Sequence, residues 1–330
     1  MGGIRVAVID DWLGIAENII DWSALRARGE VKFFQRNYPI GAEADAEKEL
    51  RDFDIILPMR ERSSLLAPTL SRLPRLKMLS LTGHKNPHVD FAYCTGKNIV
   101  VSQAGSKTAA YAAELTLALI LAAARNLAKA DAGMRAGKFQ EGAGLGIVLL
   151  ERTLGIVGLG RIGVEMACFG RALGMRVVAW SQNLTEEKAK AAGAEYVSKD
   201  QLLSESDIVT LHLVLSERTR HIIGAPEIAR MKKGAMLVNT SRGPLIDEDA
   251  LLAALQDGHI KAALDVYDEE PLPANHKLRS APNTVLSPHL GFSTIENIGD
   301  FYRNAADNIL AYLDGAPQHV VNPDVLKNKV

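Results

Sequence analysis

The sequence predicts an α/β fold with two doubly wound parallel sheets. Short runs rich in β-branched residues alternate with helical stretches along the whole chain, as in sheets whose parallel strands are joined by helices. The strands fall into two series, which an apolar stretch at residues 112–124 separates. A chain of 330 residues is also long enough for two domains of ordinary size. We therefore expect two such α/β units.

The first series of strands lies in the first hundred or so residues. Each run is short and mostly apolar and is bounded by polar or glycine-containing turns, which is typical of buried strands in a parallel sheet. The predicted strands are residues 4–10, 30–34, 54–57, 76–81 and 99–103.

The stretch at residues 112–124 predicts a helix. Its sequence, AAELTLALILAAA, is apolar on nearly every face, which predicts burial between layers or between subunits. It is shorter than the roughly 20 residues that a membrane span needs, and it contains Glu114. We therefore expect no membrane span.

The second series of strands follows this helix, at residues 153–158, 176–181, 207–213, 235–241, 261–267 and 284–288. Helix signals lie between these strands. Thr185, which precedes two glutamates, predicts a helix start, and Ser198 with Gln201 predicts a capping box. Gly258 predicts the end of the helix before it.

Composition and charge exclude several classes of protein. The chain has 38 basic and 39 acidic residues, so its net charge of −1 would attract neither nucleic acid nor an anionic membrane. Cys94 and Cys168 are too few for a disulfide framework and lack the spacing of metal ligands, so we expect no metal. The N-terminus enters a strand directly, without the pattern of a signal peptide. We therefore expect a cytoplasmic protein.

A glycine loop, GLGRIG, occupies residues 158–163 between a predicted strand and a predicted helix. In such a loop Gly158 permits the tight turn, Gly160 lets the backbone approach a pyrophosphate, and Gly163 lets the helix pack against the strand. Free N–H groups at the helix N-terminus then bind phosphates. A glycine-rich turn can also serve chain geometry alone, but the strand–loop–helix context favours dinucleotide binding.

The residue after the next strand bears on the choice of cofactor. An acid usually stands there and binds the ribose hydroxyls of NAD, whereas an arginine would indicate the phosphate of NADP. This chain has Ser181, followed by a glutamine and an asparagine. We expect NAD, with NADP left open.

Three later segments place polar side chains just after predicted strands, where doubly wound sheets bind ligands. NTSRGPLIDE contains Arg242, LDVYDEEP contains Asp265 and Glu270, and SPHLGFSTIE contains His289. Each segment alone has an ordinary explanation, as a surface ion pair, a solvated acidic turn or a histidine in a loop. Their combination in one chain with a glycine loop favours a chemical function.

Reduction of a small 2-oxo acid needs these residue types. A guanidinium binds a carboxylate through two hydrogen bonds and polarises the neighbouring carbonyl. A histidine titrates near neutral pH and can deliver a proton as hydride reaches carbon. A carboxylate on its other ring nitrogen fixes the tautomer and favours the imidazolium form. The set therefore indicates hydride transfer with a nicotinamide cofactor.

The four motifs GLGRIG, NTSRGPLIDE, LDVYDEEP and SPHLGFST, in this order and spacing, resemble those of the D-isomer-specific 2-hydroxyacid dehydrogenases. The resemblance covers almost the whole chain, to VVNP near residue 323. It implies a catalytic triad of Arg242, Glu270 and His289. It also implies that Asp265 holds the nicotinamide carboxamide.

The resemblance implies further contacts with the cofactor. The backbone N–H groups of Arg161 and Ile162 would bind the pyrophosphate. His212 and Thr219 would lie on the adenosine side, although Val214 stands where the family commonly has proline. Thr240 would lie behind the nicotinamide.

The resemblance also implies substrate-binding residues. The segment SLTGHKNPHVD resembles the family's second glycine loop, so the backbone of Gly83 and His84 would receive the substrate carboxylate. Arg60 falls where phosphate-bearing substrates of the family meet an arginine, but it and Arg62 could equally be a solvated pair. Thr108 takes the place of a substrate-contacting asparagine in formate dehydrogenase.

The family's domain layout would be discontinuous here. Residues 1–103 plus 292–330 would form the substrate domain and residues 104–291 the NAD(P)-binding Rossmann domain, with the active-site cleft between them. The helix at 112–124 and the segment before residue 153 would build the interface of a homodimer.

These observations predict an oxidoreductase that moves hydride between NAD and a small D-2-hydroxy or 2-oxo acid such as glyoxylate or hydroxypyruvate. Two alternatives stay open. One is an activity on a phosphorylated acid of the 3-phosphoglycerate type, with Arg60 as the residue to test. The other is a non-catalytic, NAD-sensing binding protein, as in the family's transcriptional corepressors, because fold alone does not establish function.

Overall fold

The structure, a computed structural model, describes residues 3–83, 86–105 and 108–327. The chain divides into two compact units. The first unit comprises Met1–Lys107 and Thr294–Val330, and the second comprises Thr108–Ser293.

The described residues contain two sheets, and every pair of neighbouring strands in them is parallel. The strands of the first unit are β1 (Ile4–Ile9), β2 (Gly29–Phe33), β3 (Ile55–Pro58), β4 (Met78–Thr82) and β5 (Val100–Ala104). Those of the second unit are β6 (Thr153–Val157), β7 (Arg176–Trp180), β8 (Glu195–Tyr196), β9 (Ile208–Leu211), β10 (Met236–Asn239), β11 (Lys261–Leu264) and β12 (Thr284–Leu286).

The helices among the described residues connect or flank these strands. They are α1 (Ala16–Ile19), α2 (Ser23–Arg26), α3 (Glu43–Leu50), α4 (Ala67–Leu70), α5 (Phe91–Gly96), α6 (Ala110–Ala124), α7 (Leu127–Arg135), α8 (Arg161–Ala172), α9 (Glu186–Ala191), α10 (Lys199–Glu205), α11 (Ala225–Arg230), α12 (Glu248–Gln256), α13 (Ile295–Leu313) and α14 (Asp324–Lys327). Two 3₁₀ turns, Gly243–Leu245 and Lys277–Ser280, belong to the second unit.

The order of the strands locates a ligand-binding edge in each sheet. The first sheet has the order β2-β1-β3-β4-β5, and the second has β12-β11-β10-β9-β6-β7-β8. In such sheets the connections leave in opposite directions on either side of one strand pair, and the crevice outside the carboxyl ends there is where ligands bind. This switch point lies between β1 and β3 in the first unit and between β6 and β9 in the second.

The predicted fold class is confirmed, and every strand predicted from the sequence is present. Their ends differ by at most three residues, because the last apolar residues of several runs continue into the loops that follow. The sequence did not predict β8, which has only two residues, both exposed at the sheet edge. An edge strand of this length has no buried face and therefore no apolar pattern.

The helix signals are confirmed with one exception. Thr185 and Ser198 accept hydrogen bonds from the third residue beyond them, as N-caps do. Gly258, with φ +65°, follows the end of α12. The capping box was wrong in its second half, because the Gln201 amide turns along the helix and donates to Glu205 at 2.9 Å.

Within this chain the apolar helix α6 is buried on one face, so its burial between subunits stays a prediction. Within its unit it packs against α8 and against the β10–β12 part of the sheet. Glu114, Ala118 and Leu121 are exposed, the last at 40%. Among the described residues no single helix is long and apolar enough to span a membrane, and α6 with α7 meets that test of length and composition only as a pair bent by 67°.

Candidate active site

The first glycine loop has the geometry that its sequence predicts. It joins β6 to α8, and Gly158 has φ +104°, which only glycine adopts without strain. A Cβ on Gly158 would lie 2.6 Å from the carbonyl oxygen of His212, and one on Gly163 would lie 2.3 Å from the carbonyl oxygen of Gly158. A Cβ on Gly160 would meet nothing within 4 Å. Two glycines therefore allow close packing, and the third borders open space.

The residues of this loop fit a dinucleotide. Gly160 is the N-cap of α8, and the first helical N–H to find a carbonyl is that of Val164, which donates to the oxygen of Gly160 at 2.9 Å. The N–H groups of Arg161 and Ile162 have no acceptor among the described residues. The positive end of a 12-residue helix therefore meets the open side of Gly160, where a pyrophosphate can bind.

On the other side of the switch point, His212 follows β9. Burial lowers the pKa of His212 to about 3, so the imidazole is neutral. Its Nε2 lies 2.9 Å from the Thr210 hydroxyl, and its Nδ1 has no partner among the described residues. The Thr219 hydroxyl accepts from Ser216 N at 2.8 Å and donates to Val214 O at 2.8 Å. Both partners lie in the same loop as Thr219, so the hydroxyl stabilises that loop. Direct contact of either side chain with a cofactor stays a prediction.

Ser181 directly follows β7 and is half-buried. Its carbonyl accepts from Leu184 N at 3.1 Å in a tight turn. A serine hydroxyl can bind a ribose hydroxyl but does not repel a phosphate as a carboxylate would. The position is therefore compatible with both nicotinamide dinucleotides.

The loops after β11 and β12 bring Glu270 and His289 into direct contact. Glu270 Oε2 lies 2.5 Å from His289 Nδ1, and its Oε1 accepts from Tyr267 N at 2.9 Å. Burial alone would raise the pKa of Glu270, but the hydrogen bond and charge of His289 outweigh it, so the pKa lies below its ordinary value. The carboxylate is therefore ionised at neutral pH and holds the imidazole through Nδ1. The Nε2 atom of His289 makes no hydrogen bond to a described residue.

Arg242 lies near this pair. Its positive charge contributes to the low pKa of Glu270. The side chain is exposed, and its Nη1 donates to the carbonyl oxygen of Ser241 at 2.7 Å. The structure therefore brings the three predicted catalytic residues to one place at the carboxyl edge of the second sheet.

Asp265 supports the turn that carries His289. It is fully buried, and its two carboxylate oxygens accept from Leu290 N at 2.8 Å and Gly291 N at 2.9 Å. Burial raises the pKa of Asp265, and these hydrogen bonds oppose that rise. His289 itself has φ +55°, a backbone conformation that needs such support in a residue with a side chain.

Thr240 contacts α6 in this region, and Thr108 lies just before the start of that helix. Thr240, which follows β10, is 9% exposed, and its hydroxyl lies 2.7 Å from that of Thr116 on α6. Thr108 is exposed, and its hydroxyl accepts from Ala110 N at 3.1 Å at the start of α6. Both side chains therefore have structural contacts of their own.

In the first unit, Arg60 lies against Gly83. Gly83 has φ +123°, and a Cβ there would lie 2.3 Å from Arg60 Nη1. The Arg60 side chain is only 17% exposed, and its Nη2 lies 3.3 Å from Glu61. Arg60 is therefore largely buried and is not a solvated surface side chain, which was one of the two alternatives that the sequence allowed. His84 lies outside the described residues.

The protein has clear relatives. A family model described as "D-isomer specific 2-hydroxyacid dehydrogenase, NAD binding domain" matches residues 117–291, more than half of the chain. A glyoxylate reductase of Aeropyrum pernix is 42% identical over 267 residues, which cover 78% of this chain and 80% of the relative. The chain belongs to the D-isomer specific 2-hydroxyacid dehydrogenase family.

This 2-hydroxyacid dehydrogenase also resembles a relative with a longer chain and a relative whose crystal structure is known. A D-3-phosphoglycerate dehydrogenase of Methanocaldococcus jannaschii is 36% identical over 86% of this chain but only 54% of its own length. The crystal structure of a phosphoglycerate oxidoreductase from Vibrio cholerae matches with a TM-score of 0.87 and 32% identity, over 95% of this chain and all of the other. The chain is accordingly an oxidoreductase that uses a nicotinamide cofactor on small hydroxy or oxo acids.

One residue that shapes the dehydrogenase's site was missed in the sequence analysis. Asn239, the last residue of β10, is 1% exposed, and its Nδ2 donates to the carbonyl oxygen of Arg242 at 2.8 Å. Its Oδ1 accepts from Ser241 N at 3.0 Å, so one side chain supports the whole turn before Arg242. An amide at the end of a buried strand, three residues before the arginine, was the available signal.

Proposed function

We propose that this dehydrogenase reduces a short, unphosphorylated 2-oxo acid, with glyoxylate and hydroxypyruvate as the leading candidates, and that Arg242, Glu270 and His289 are its catalytic residues. The observation that supports the proposal best is the 2.5 Å contact between Glu270 and His289 with the charge of Arg242 nearby. The name glyoxylate reductase among the relatives gives further support.

The proposed chemistry follows from the state of each group. When bound, the nicotinamide supplies the hydride in reduction and takes it back in oxidation. Arg242 binds the substrate carboxylate and polarises the carbonyl at C2. His289, protonated on both nitrogens, gives the proton on Nε2 to the oxygen that becomes the hydroxyl. Glu270 remains ionised, stabilises the imidazolium through Nδ1 and fixes the direction of Nε2.

We propose NAD as the cofactor, held by the backbone at Gly158, Gly160 and Gly163 and by the N–H groups of Arg161 and Ile162. The open side of Gly160 and the unpaired first turn of α8 support this placement. Ser181 leaves NADP possible, so the ratio of activities with the two cofactors decides the matter. Asp265, Thr240, His212 and Thr219 line the loops that the cofactor would pass in this proposal.

For the first unit we propose that Gly83, with His84 beside it in the sequence, meets the substrate's acid group. An activity on a phosphorylated acid is the second candidate function. The partly buried guanidinium of Arg60 against Gly83 favours it, as does the name D-3-phosphoglycerate dehydrogenase among the relatives. An Arg60→Ala variant that loses phosphohydroxypyruvate far more than glyoxylate would support this candidate, and equal losses would refute it.

We further propose a homodimer in a reducing compartment such as the cytoplasm. An apolar surface on α7 and the segment from α7 to β6 supports the dimer, since six large side chains there are at least half exposed. They are Leu127, Met134, Phe139, Leu145, Val148 and Leu150. Both cysteines are free thiols, which fits a reducing compartment. Sedimentation of the purified protein, which would show a monomer if this proposal fails, reports the assembly.

The test of function is oxidation of NADH and of NADPH with glyoxylate, hydroxypyruvate, phosphohydroxypyruvate and pyruvate. We expect turnover with at least one unphosphorylated acid, and a loss of several hundredfold or more in His289→Ala with cofactor affinity unchanged. His276→Ala is the matched control, because His276 forms a similar pair, 3.0 Å from Glu248, with a glutamate that is not part of the triad. Full activity of His289→Ala would refute the assignment, and tight cofactor binding without turnover would favour a sensing role.

A further inference from the structure

Three loops of the second unit carry the proposed catalytic residues, and Tyr267 contacts all three loops. They follow β10, β11 and β12 and carry Arg242, Glu270 and His289 in that order. Tyr267 lies in the middle loop, three residues before Glu270, and is only 8% exposed. No role was expected for it from the sequence.

The hydroxyl of Tyr267 reaches the loop after β12. It donates to the carbonyl oxygen of Ser287 at 2.8 Å, while that of Leu264 lies farther away at 3.4 Å. Burial raises the pKa of Tyr267 to about 12, so the hydroxyl keeps its proton and is a donor at neutral pH. Ser287 is buried and stands two residues before His289. Because a buried carbonyl oxygen needs a donor, this bond fixes the chain just before His289.

The chain just after His289 is held from the same middle loop. The carboxylate of Asp265 accepts from Leu290 N at 2.8 Å and from Gly291 N at 2.9 Å. His289 thus lies between two fixed points. Its φ of +55° persists in a residue with a side chain only where the surrounding structure imposes it. The direction of the imidazole therefore depends on how firmly both points are held.

The backbone of Tyr267 contacts the other two catalytic residues or their turns. Its N–H donates to Glu270 Oε1 at 2.9 Å, which leaves Oε2 for His289 Nδ1 at 2.5 Å. A Cβ on Gly243 would lie 2.2 Å from the carbonyl oxygen of Tyr267, so the turn after Arg242 packs directly against this peptide. One residue therefore holds the three loops together.

We propose that Tyr267 is a positioning residue for proton transfer, because its hydroxyl, through Ser287, sets the direction in which His289 presents Nε2. This inference rests on the proposed function. The hydroxyl is bonded inside the protein, so its loss should slow the step in which His289 gives its proton and leave ligand binding intact. A misplacement of about 1 Å can cost about a hundredfold in rate, and the loss of one hydroxyl allows a smaller shift.

The experiment removes that hydroxyl alone. We expect Tyr267→Phe to lower kcat about tenfold, with the KM for the oxo acid and the Kd for NADH close to the wild-type values. Tyr38→Phe is the matched control, because Tyr38 is a buried tyrosine of the first unit whose hydroxyl donates to Glu49 at 2.7 Å. The control should keep the wild-type kcat. An equal loss in the two variants would overturn the proposal, since it would reflect only a missing buried hydrogen bond.

A double variant shows whether Tyr267 acts through His289. In His289→Ala the imidazole is gone, so a residue that only directs Nε2 has nothing left to direct. We expect Tyr267→Phe combined with His289→Ala to have the kcat of His289→Ala alone. A further loss of about tenfold in the double variant would show independent effects and refute the positioning role.

Proton NMR of the purified protein gives a readout that needs no turnover. The proton in the short bond between His289 Nδ1 and Glu270 should resonate far downfield, and its absence in His289→Ala identifies it. We expect this signal to move upfield or broaden in Tyr267→Phe, because a displaced imidazole lengthens the bond. It should stay in place in Tyr38→Phe. A signal that is the same in Tyr267→Phe and the wild type would contradict the proposal.

The two possible failures are distinguishable. If the wild type reduces an oxo acid, His289→Ala loses that activity and Tyr267→Phe keeps it, the positioning role is refuted and the proposed function stands. If the wild type reduces no oxo acid, or His289→Ala is fully active, the proposed function fails. The NMR signal then decides by itself whether Tyr267 positions His289.

Discussion

The two glycines on either side of the start of α8 should respond in opposite ways to the same substitution. Gly160→Ala adds a methyl group where nothing lies within 4 Å, and the backbone there, with φ −86° and ψ −159°, suits any residue. Gly163→Ala adds a methyl group 2.3 Å from the carbonyl oxygen of Gly158. That oxygen belongs to the loop backbone and cannot move without displacing the loop.

The magnitudes follow from these contacts. Overpacking against a fixed backbone costs about 1–3 kcal/mol, and alanine recovers up to about 1 kcal/mol inside a helix, so Gly163→Ala should lose about 1–2 kcal/mol of stability. Gly160→Ala should lose less than about 1 kcal/mol, since only the N-cap preference changes. Its methyl group would stand between the backbone and a pyrophosphate, so the Kd for NADH should rise at least tenfold, or about 1.4 kcal/mol.

Two measurements separate the effects. Urea unfolding reports the stability of the protein, and calorimetric titration reports cofactor affinity. Wild-type affinity for NADH in Gly160→Ala would refute the placement of the pyrophosphate. Wild-type stability in Gly163→Ala would refute the packing argument.

Two further predictions concern carboxyl groups. Glu270→Gln should lower kcat/KM for reduction about tenfold or more, because the imidazole of His289 loses the anion that holds it through Nδ1; an unchanged kcat/KM would contradict this. Burial raises the pKa of Asp10 to about 7, although Ser63 and Arg62 oppose the rise, against about 3.9 in an unfolded chain. Because the folded state binds the proton more tightly, Asp10 costs stability as pH rises from about 4 to about 7, by at most about 4 kcal/mol. Asp10→Asn should therefore exceed the wild type in urea resistance at pH 8 but not at pH 4, and a difference that does not change with pH would refute this.

Strand positions and the glycine loop were predictable because they depend on local rules. A buried parallel strand must be apolar on both faces, so β1, β3 and β9 are visible as short runs bounded by turns. Gly158 has a positive φ, and both Gly158 and Gly163 have backbone atoms too close to admit a Cβ. Each requirement selects glycine, which is visible in the sequence. The two-residue strand β8 obeys no such rule and was not predicted.

The chemical roles of the triad residues were predictable from the sequence, but the distances between them were not. The sequence placed Glu270 and His289 after strands, and the resemblance to a family assigned them roles. Their 2.5 Å contact depends on two loops, from β11 and β12, meeting at one sheet edge. The sequence also could not show that Asp265 has both oxygens engaged by the turn beyond His289.

By itself, the sequence determined the fold class, the family and the residue types available for catalysis, because apolar periodicity and glycine spacing are local requirements on the chain. Only the tertiary structure decided which polar residues are satisfied and which are not. Asp10 and Asp11 are adjacent and identical in type, yet one caps a helix and the other is buried with an oxygen unpaired. That difference arises from the surrounding strands and loops, which determine what each carboxylate can reach, and no local pattern in the sequence encodes it.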